Sequence, residues 1–348
     1  MPSHFRTTLV SAATFALGAV LPWGSLANAA DVTLTLSHFL SPKSATQVDL
    51  IEPWAQRIEE QSEGRIEIKI FPAMTLGGKP GDLYRQVRDG SADLVWTLPG
   101  YTPGVFPRSE VFELPTVHQG SAEATTMAIH DNFELIAEDF EELHPILVHT
   151  HAGQALMMRD ECVTSAADLE GKKIRTPSRT GGWLISEWGA EPVGMPLPAL
   201  PEAMAKGAVD GAMIPFEIAP TIRAAKFSKC GQTGADDARF GTALFLFAMN
   251  KDRYESMPDD LRAIIDANSG RDFALYAGEL WDSAEVRAKE MQIEQGQTVD
   301  MLDDGATDTL TAAADAVIER WVEEVNDTGI DGNALVEAAR AAVNGQGS

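Results

Sequence analysis

The chain has 348 residues, 44% of them hydrophobic, so it is long enough for two domains and too apolar to be disordered. It carries 52 acidic and 27 basic residues, a formal charge of −25, which argues against nucleic acid or an anionic membrane as a partner. Any site for an anion must therefore be locally positive. The two cysteines, Cys162 and Cys230, are equally consistent with a disulfide and with two buried thiols.

Residues 1–29 have the pattern of a secretory signal peptide. Arg6 supplies a positive charge, residues 9–21 are apolar, and residues 27–29 form a small-x-small cleavage site. No later run is long and apolar enough for a transmembrane helix. We therefore expect an exported protein.

The segment after the signal predicts a first β-α-β-α-β unit. Strands are predicted at 32–39, 66–71 and 93–98. Helices are predicted at 47–61, with a kink at Pro53, then up to Arg88, and at 122–142. Residues 37–39, 76–78 and 96–101 end these strands or follow them, and are expected to line one wall of a cleft.

The stretch from Asp168 to Glu217 predicts a second unit of the same kind. Strands are predicted at 173–176, 192–195 and 209–214, and helices at 181–188 and 200–206, with Trp188 in the core. Parallel strands of this kind bind ligands beyond their carboxyl ends, where Arg175 lies, just before a helix. Its planar guanidinium fork matches a carboxylate in a way that lysine does not.

The rest of the chain predicts connections between the two units and a helical end. Residues 146–158 are expected to cross from the first domain to the second, and the strand at 243–250 to return, after another strand at 227–231. Helices are predicted at 258–294, 308–325 and 332–343. Because no flexible linker is recognisable, the domains must be joined by strands.

An ordered series of segments resembles the solute-binding proteins of tripartite ATP-independent periplasmic (TRAP) transporters. The segments are SEGRIEIKIFPAMTLGG (62–78), VRDGSADLVW (87–96), FELP (112–115), DLEGKKIRTP (168–177), GAEPVGMP (189–196), GAVDGAMIP (207–215) and LFAMNKDRYESMPDDLRAII (246–265). The resemblance implies a two-lobed α/β periplasmic-binding-protein fold with crossing strands and a long helix that spans both lobes. Lobe I is expected at 30–152 plus 243–285, and lobe II at 153–242 plus 286–348.

The resemblance also implies a function. A protein of this class captures a carboxylate in the periplasm, delivers it to a membrane permease, and uses no cofactor. Arg175 is the residue expected to form a bidentate salt bridge with the ligand. We find no nucleophile elbow, HExxH motif or nucleotide-binding glycine pattern, so we expect no enzymatic activity.

Departures from the family pattern point to the kind of carboxylate. Polar side chains that relatives use to bind sialic acid align with Ala155, Ile214 and Leu98, and a phenylalanine aligns with Leu197. Further candidates for the pocket are Trp96, Tyr101, Trp183, Met213 and Phe216. One arginine among apolar and aromatic walls favours an aromatic or weakly polar monocarboxylate.

The remaining polar candidates leave alternatives open. His38 ends the first strand and Gln154 lies near the missing second arginine, so each is a candidate to contact the ligand. Glu217 suits a ligand hydroxyl or amine, but equally a surface group or one that closes the lobes. His149 and His151 share one strand face without a third ligand, so we expect no metal. The alternatives to an aromatic acid are a sugar acid or hydroxy acid, or a sensor that feeds a signalling kinase.

Overall fold

A computed structural model describes residues 1–2 and 30–346, so that all but the first two residues of the predicted signal peptide lie outside the described part. The described residues form strands β1 (Val32–His38), β2 (Ile66–Phe71), β3 (Leu94–Thr97), β4 (Leu143–Thr150), β5 (Ala155–Met158), β6 (Lys173–Thr176), β7 (Glu191–Gly194), β8 (Gly211–Ile214), β9 (Cys230–Thr233), β10 (Leu244–Asn250) and β11 (Thr298–Met301). They also form helices α1 (Glu52–Gln61), α2 (Leu83–Arg88), α3 (Ala122–Asp131), α4 (Arg179–Glu187), α5 (Leu200–Ala205), α6 (Ala219–Ile222), α7 (Lys251–Glu255), α8 (Asp259–Ala267), α9 (Arg271–Glu294), α10 (Asp304–Ala312), α11 (Ala314–Asn326) and α12 (Gly332–Gln346).

The strands build two mixed sheets, one for each lobe. The first sheet has the order β2-β1-β3-β10-β4, and the second has the order β11-β9-β5-β8-β6-β7. In the first, β1 is parallel to β2 and β3, while β10 runs antiparallel to β3 and β4. In the second, β6 is parallel to β7 and β8. The parallel β-α-β units predicted from the sequence are thus confirmed in both sheets.

Two strand connections and a long helix join the lobes. Residues 151–154 lead from β4 in the first sheet to β5 in the second, and residues 234–243 lead from β9 back to β10. Helix α9 contacts α3 and β4 of the first lobe, and α6 and β11 of the second. The predicted crossing strands and the helix across both lobes are therefore confirmed.

Two helices differ in detail from the prediction. The helix predicted at 122–142 ends at Asp131, because the backbone of Asn132 leaves the helical region and 3-10 turns follow at 133–135 and 137–140. The long helix predicted at 258–294 is present but interrupted at 268–270, which separates α8 from α9. The helix predicted at 47–61 starts as a π-helical turn, Thr46–Ile51, and α1 takes over with Pro53 in its first turn, where no N–H is needed.

The predicted boundaries of the lobes stay a prediction, with one revision. Helix α12 packs against α3 of the first lobe, and α11 packs against α4 of the second. We therefore propose that residues 332–346 belong with lobe I. Among the described residues, no helix is both long and apolar enough to cross a membrane.

The two cysteines are joined by a disulfide. Cys162 lies in the loop after β5, and Cys230 is the fully buried first residue of β9, with 5.4 Å between their Cα atoms. The bridge ties this loop to the second sheet, which decides between the two states that the sequence left open.

Candidate ligand-binding site

A cavity lies between the two sheets and against α9. The first lobe contributes Phe39, Leu40, Ala45, Thr46, Trp96, Leu98, Tyr101, Ala243 and Phe245. The crossing segment and the second lobe contribute His151, Gln154, Arg175, Pro177, Leu197, Ile214, Pro215, Glu217, Ile218 and Thr221, and α9 contributes Leu280, Trp281 and Ala284. The cavity therefore sits where the parallel strands end, as the topology predicts.

Arg175 is a buried cation without a counter-ion. It is 2% exposed, its Nε donates to the carbonyl of Met195 at 2.9 Å, and its Nη1 donates to the carbonyl of Met213 at 3.2 Å. It also hydrogen-bonds the Tyr101 hydroxyl, and burial lowers the pKa of Arg175. No carboxylate of the described residues pairs with it. Since an unpaired buried charge is costly, the guanidinium favours an anion in the cavity.

One side of the cavity is an aromatic wall, formed by Phe39, Trp96, Tyr101, Phe245 and Trp281. The rings of Trp96 and Phe245 stack with centroids 4.7 Å apart and planes at 16°. Phe39 lies 5.3 Å from both Trp96 and Tyr101, and Phe245 lies 6.4 Å from Trp281. Such a wall offers flat apolar surface and ring edges to a planar ligand.

A neutral histidine fixes the indole of Trp96. The indole Nε1 donates to Nε2 of His149 at 3.0 Å. Burial lowers the pKa of His149 to about 3, so its ring is neutral and accepts this hydrogen bond. His149 therefore positions the wall from behind.

Three of the four positions at which the chain departs from the family pattern line the cavity. Leu98, Leu197 and Ile214 all line it. Ala155, where a second arginine was expected in relatives, is fully buried in β5 opposite Ile214. These positions add no hydrogen-bonding groups around Arg175.

Two polar side chains of the crossing segment also line the cavity. Gln154 is 2% exposed, and its Oε1 has no hydrogen-bond partner among the described residues. Nδ1 of His151 accepts from the backbone N–H of Gly153 at 2.9 Å, and burial keeps the pKa of His151 well below the usual value, so Nε2 of the neutral ring carries the proton. Gln154 thus has free hydrogen-bonding capacity at the cavity, whereas Nδ1 of His151 is occupied.

Glu217 places a carboxyl at the cavity, next to α9. Its backbone N–H donates to Oε2 of Glu285 at 2.8 Å, and the indole of Trp281 hydrogen-bonds its side chain. Burial and the nearby Glu285 raise the pKa of Glu217 well above the usual value. Glu285 itself pairs with Arg239 at 2.5 Å. The Glu217 carboxyl therefore holds its proton to a higher pH than an exposed glutamate does.

Four predicted site residues do not line this cavity, and these predictions need correction. His38 is fully buried and bonds Gln47 through Nε2 at 2.9 Å, because its side chain points into the first lobe. Trp183 lies on the outer side of α4, under the guanidinium of Arg320 at 4.3 Å. Met213 contributes its carbonyl to Arg175, while its side chain lines a smaller neighbouring cavity.

Phe216 is fully buried, with its ring packed behind Gly231 and under Lys289. Pro215 and Glu217 face the cavity, so the side chain of Phe216 between them points to the opposite side. The turn at 76–78, expected in the cleft wall, does not line the cavity either.

Sequence reasoning missed Phe245 and Trp281, and it included Phe39 in the cleft wall at 37–39 but named His38 as the ligand contact. Phe39 directly follows His38, so the prediction chose the wrong one of two adjacent residues at a strand end. Trp281 and Glu285 lie one helical turn apart on the buried face of α9. A buried acid on that face was the signal for a site there.

No group of three or more histidine, cysteine or acidic side chains in residues 30–346 could hold a metal ion. Both imidazole nitrogens of His149 and Nδ1 of His151 are instead engaged with Trp96 and the backbone.

The chain resembles known proteins over most of its length. The family model for DctP, bacterial extracellular solute-binding protein family 7, matches residues 36–324. A marine metagenome TRAP solute-binding protein, specific for aromatic acid ligands and solved with 3-hydroxybenzoate, is 37% identical with a TM-score of 0.89 over 92% of this chain and 100% of that one. A TRAP solute-binding protein from Rhodoferax ferrireducens, solved with copurified benzoate, is 34% identical with a TM-score of 0.87 over 90% and 98%.

A more distant relative shows the range of the family. The ectoine-binding periplasmic protein TeaA of Halomonas elongata is 22% identical over 82% of each chain. These proteins are solute-binding receptors, which confirms that the chain is not an enzyme. The chain belongs to the DctP family, family 7 of the bacterial extracellular solute-binding proteins, and is a periplasmic solute-binding protein of the TRAP class.

Proposed function

We propose that this protein binds an aromatic monocarboxylate and delivers it to a TRAP membrane permease. The observation that carries the proposal is the buried, unpaired guanidinium of Arg175 at a cavity with an aromatic wall. The carboxylate of the ligand pairs with Arg175, and its ring packs against Trp96 and Phe245. A charge-assisted bidentate pair of this kind is among the stronger protein–ligand interactions.

The apolar lining argues against a sugar acid. A sugar places several hydroxyls in the cavity, and each buried hydroxyl without a partner costs about 1–3 kcal/mol. Leu98, Leu197 and Ile214 supply no such partners. Two solved relatives that are 37% and 34% identical to this chain hold 3-hydroxybenzoate and benzoate, respectively, which is consistent with the same ligand class here.

The cavity lies between the lobes, so binding and lobe closure are linked. A ligand that contacts both lobes prefers the closed arrangement and shifts the open–closed equilibrium towards it. The permease would then recognise the surface that closure creates. Among residues 30–346 no helix can span a membrane, so translocation falls to the permease.

A thermal-shift screen tests the ligand class. The protein lacking residues 1–29 is unfolded and refolded to remove carried-over ligand, then heated with benzoates, phenylacetates, sugar acids, 2-oxo acids or amino acids. A ligand at 100 times its Kd adds about 2.7 kcal/mol and raises Tm by several degrees. We expect shifts from aromatic acids alone. Shifts from sugar acids alone would contradict the proposal.

Replacing Arg175 tests the carboxylate partner. Arg175→Ala is expected to weaken benzoate binding by about 2–5 kcal/mol, roughly 30- to 4,000-fold, since it leaves a carboxylate buried without its partner. Arg175→Lys keeps the charge but loses the fork, and is expected to bind at an intermediate level. Isothermal titration calorimetry measures both. The control is Arg65→Ala, an exposed arginine paired with Asp31. An affinity of Arg175→Ala within tenfold of the original would refute the assignment.

A further inference from the structure

We propose that Glu217, supported by Trp281, forms a second polar contact that selects aromatic acids with a hydroxyl on the ring edge away from the carboxylate. The inference rests on the proposed function, because it takes the aromatic acid bound at Arg175 as given. It adds a specificity-determining residue and narrows the ligand class from aromatic acids to hydroxylated ones.

The position of Glu217 is built by the fold. Glu217 follows β8 and Pro215, and its backbone N–H is held by the carboxylate of Glu285 on α9 at 2.8 Å. Its side chain meets the indole N–H of Trp281. The surrounding lining is apolar, with Ile218, Leu280 and Ala284. A carboxyl in such a setting retains hydrogen-bonding capacity that no other described side chain around it takes up.

Glu217 and Arg175 interact with different groups around the cavity. The groups that act on Arg175 are Tyr101 and the carbonyls of Met195 and Met213. Those that act on Glu217 are Trp281 and Glu285 of α9. A ligand whose carboxylate sits on Arg175 therefore meets Glu217 with another part of its ring.

The charges next to Glu217 favour a hydroxyl over an amine. The nearby cations are engaged, since Arg239 pairs with Glu285 and Lys289 with Asp237. Burial and Glu285 raise the pKa of Glu217 well above the usual value, which favours the protonated carboxyl and weakens its repulsion of an anionic ligand. A protonated carboxyl both donates and accepts, which matches a phenolic hydroxyl. An amino acid would carry its ammonium beside the carboxylate, at Arg175 and away from Glu217.

Gln154 is the competing partner for a hydroxyl. Its Oε1 has no hydrogen-bond partner among the described residues and it also lines the cavity. It lies in the crossing segment and not on the α9 side. It therefore provides a matched control, because it is another polar side chain at the same cavity.

Calorimetric titration of the refolded protein with matched ligands tests the proposal. Benzoate is compared with 3-hydroxybenzoate and 4-hydroxybenzoate, whose hydroxyls lie away from the carboxylate, and with 2-hydroxybenzoate, whose hydroxyl lies beside it. We expect one of the distal isomers to bind about tenfold more tightly than benzoate, and 2-hydroxybenzoate to gain nothing. The preference is read as the ratio of the Kd for benzoate to the Kd for the distal isomer within each variant. This ratio should fall to about one in Glu217→Met, while Glu217→Gln and Gln154→Met should keep it within threefold.

The outcomes separate this inference from the proposed function. If benzoate binds but no distal isomer binds better, or if Glu217→Met keeps the preference, the inference is overturned and the proposed function stands. Loss of the preference in Gln154→Met also overturns it. If Glu217→Met no longer binds benzoate, Glu217→Gln decides, and loss of the preference there overturns the inference. If the original protein binds no aromatic acid, the proposed function itself fails.

Discussion

Glu113 is a buried carboxyl outside the ligand cavity, and its protonation links the stability of the folded protein to pH. It is 3% exposed, its Oε1 accepts from the backbone N–H of Leu244 at 2.9 Å, and Thr180 approaches Oε2 at 3.5 Å. Burial, aided by the charge of Glu110, raises the pKa of Glu113 to about 8. The folded protein thus retains a proton here that the unfolded chain releases near pH 4.5.

This raised pKa predicts a loss of stability as the pH rises. Between about pH 4.5 and 8 the folded state binds more protons than the unfolded state, so the free energy of unfolding falls across this window by up to a few kcal/mol. Glu113→Gln mimics the protonated carboxyl and should remove that part of the decline. Scanning calorimetry at pH 5 and pH 8 measures it against the control Glu67→Gln, an exposed glutamate. Equal declines in Glu113→Gln and the original protein would contradict the prediction.

Single residues also show how far sequence reasoning reaches. The chemistry of Arg175 followed from its place at a strand end, and the structure shows it buried without a counter-ion. The choice of His38 over Phe39 was wrong, because which way a side chain points at the end of a strand depends on how the chain turns. Phe245 lines the cavity only because β10 returns to the first sheet beside β3. No local pattern predicts such a long-range placement.

Helix α9 both lines the cavity and packs against α3. Its Asp282 accepts from the hydroxyl of Ser121 at 2.8 Å and from the backbone N–H of Ala122 at 2.7 Å, at the start of α3. One residue away, Trp281 lines the cavity. The position of α9 against α3 therefore sets where Trp281 meets a ligand.

Close packing at Gly278 allows the position of α9 against α3 to be tested. A Cβ at Gly278 would lie 2.4 Å from Cα of Glu123, a backbone atom that cannot move aside like a flexible side chain. Gly278→Ala should lower the free energy of unfolding by about 1–3 kcal/mol and Tm by a few degrees. It should also weaken benzoate binding, because α9 shifts. Gly305→Ala in α10, with ordinary contacts at 3.6 Å, is the control. An unchanged Tm in Gly278→Ala would refute the tight contact.

The spacing of apolar residues predicted most helices and strands, but it did not predict where the helices are interrupted. It predicted the helical span over α8 and α9, but not the break at 268–270. It extended α3 past Asp131, since residues 133–140 have an apolar spacing that 3-10 turns also satisfy. Asp139 accepts from the backbone N–H and the hydroxyl of Ser109 at 2.7 Å each, a tertiary contact that the local spacing does not encode.

The two lobes meet closely beside the cavity. Gly100 follows β3 of the first lobe, and Pro177 and Ser178 follow β6 of the second. A Cβ at Gly100 would lie 3.0 Å from the carbonyl oxygen of Pro177 and from Cβ of Ser178. The absence of a side chain at this position lets the lobes approach in this arrangement.

Adding that side chain should hinder closure without unfolding either lobe. Gly100→Ala is expected to weaken binding of all aromatic acids by about 1–3 kcal/mol, roughly 5- to 150-fold, with Tm of the unliganded protein nearly unchanged. Titration calorimetry and small-angle scattering with and without ligand measure affinity and closure. Gly194→Ala is the control, since a Cβ there meets nothing within 4 Å. If Gly100→Ala bound within twofold of the original, the contact would not limit closure.

The two-lobed fold was predicted better than the way in which individual helices and strands pack against one another. The family segments implied two lobes, crossing strands and a spanning helix, and each is present. The packing of α12 on α3 was not foreseen, because an amphipathic helix at the end of a chain carries no sign of which surface it covers. The aromatic wall likewise draws on β1, β3, β10 and α9, which only the folded chain assembles.

The chain crosses between the lobes repeatedly, and this limits how the protein can be divided into separate lobes. Each lobe is assembled from segments distant in sequence, with β10 and α9 returning after β5 to β9 are complete. No single cut yields one intact sheet on each side, so neither lobe can be expressed from one continuous gene fragment. Recombination cannot exchange one lobe for another between relatives in a single exchange. New ligand specificity is therefore reached more simply by substitutions at the cavity than by an exchange of whole lobes.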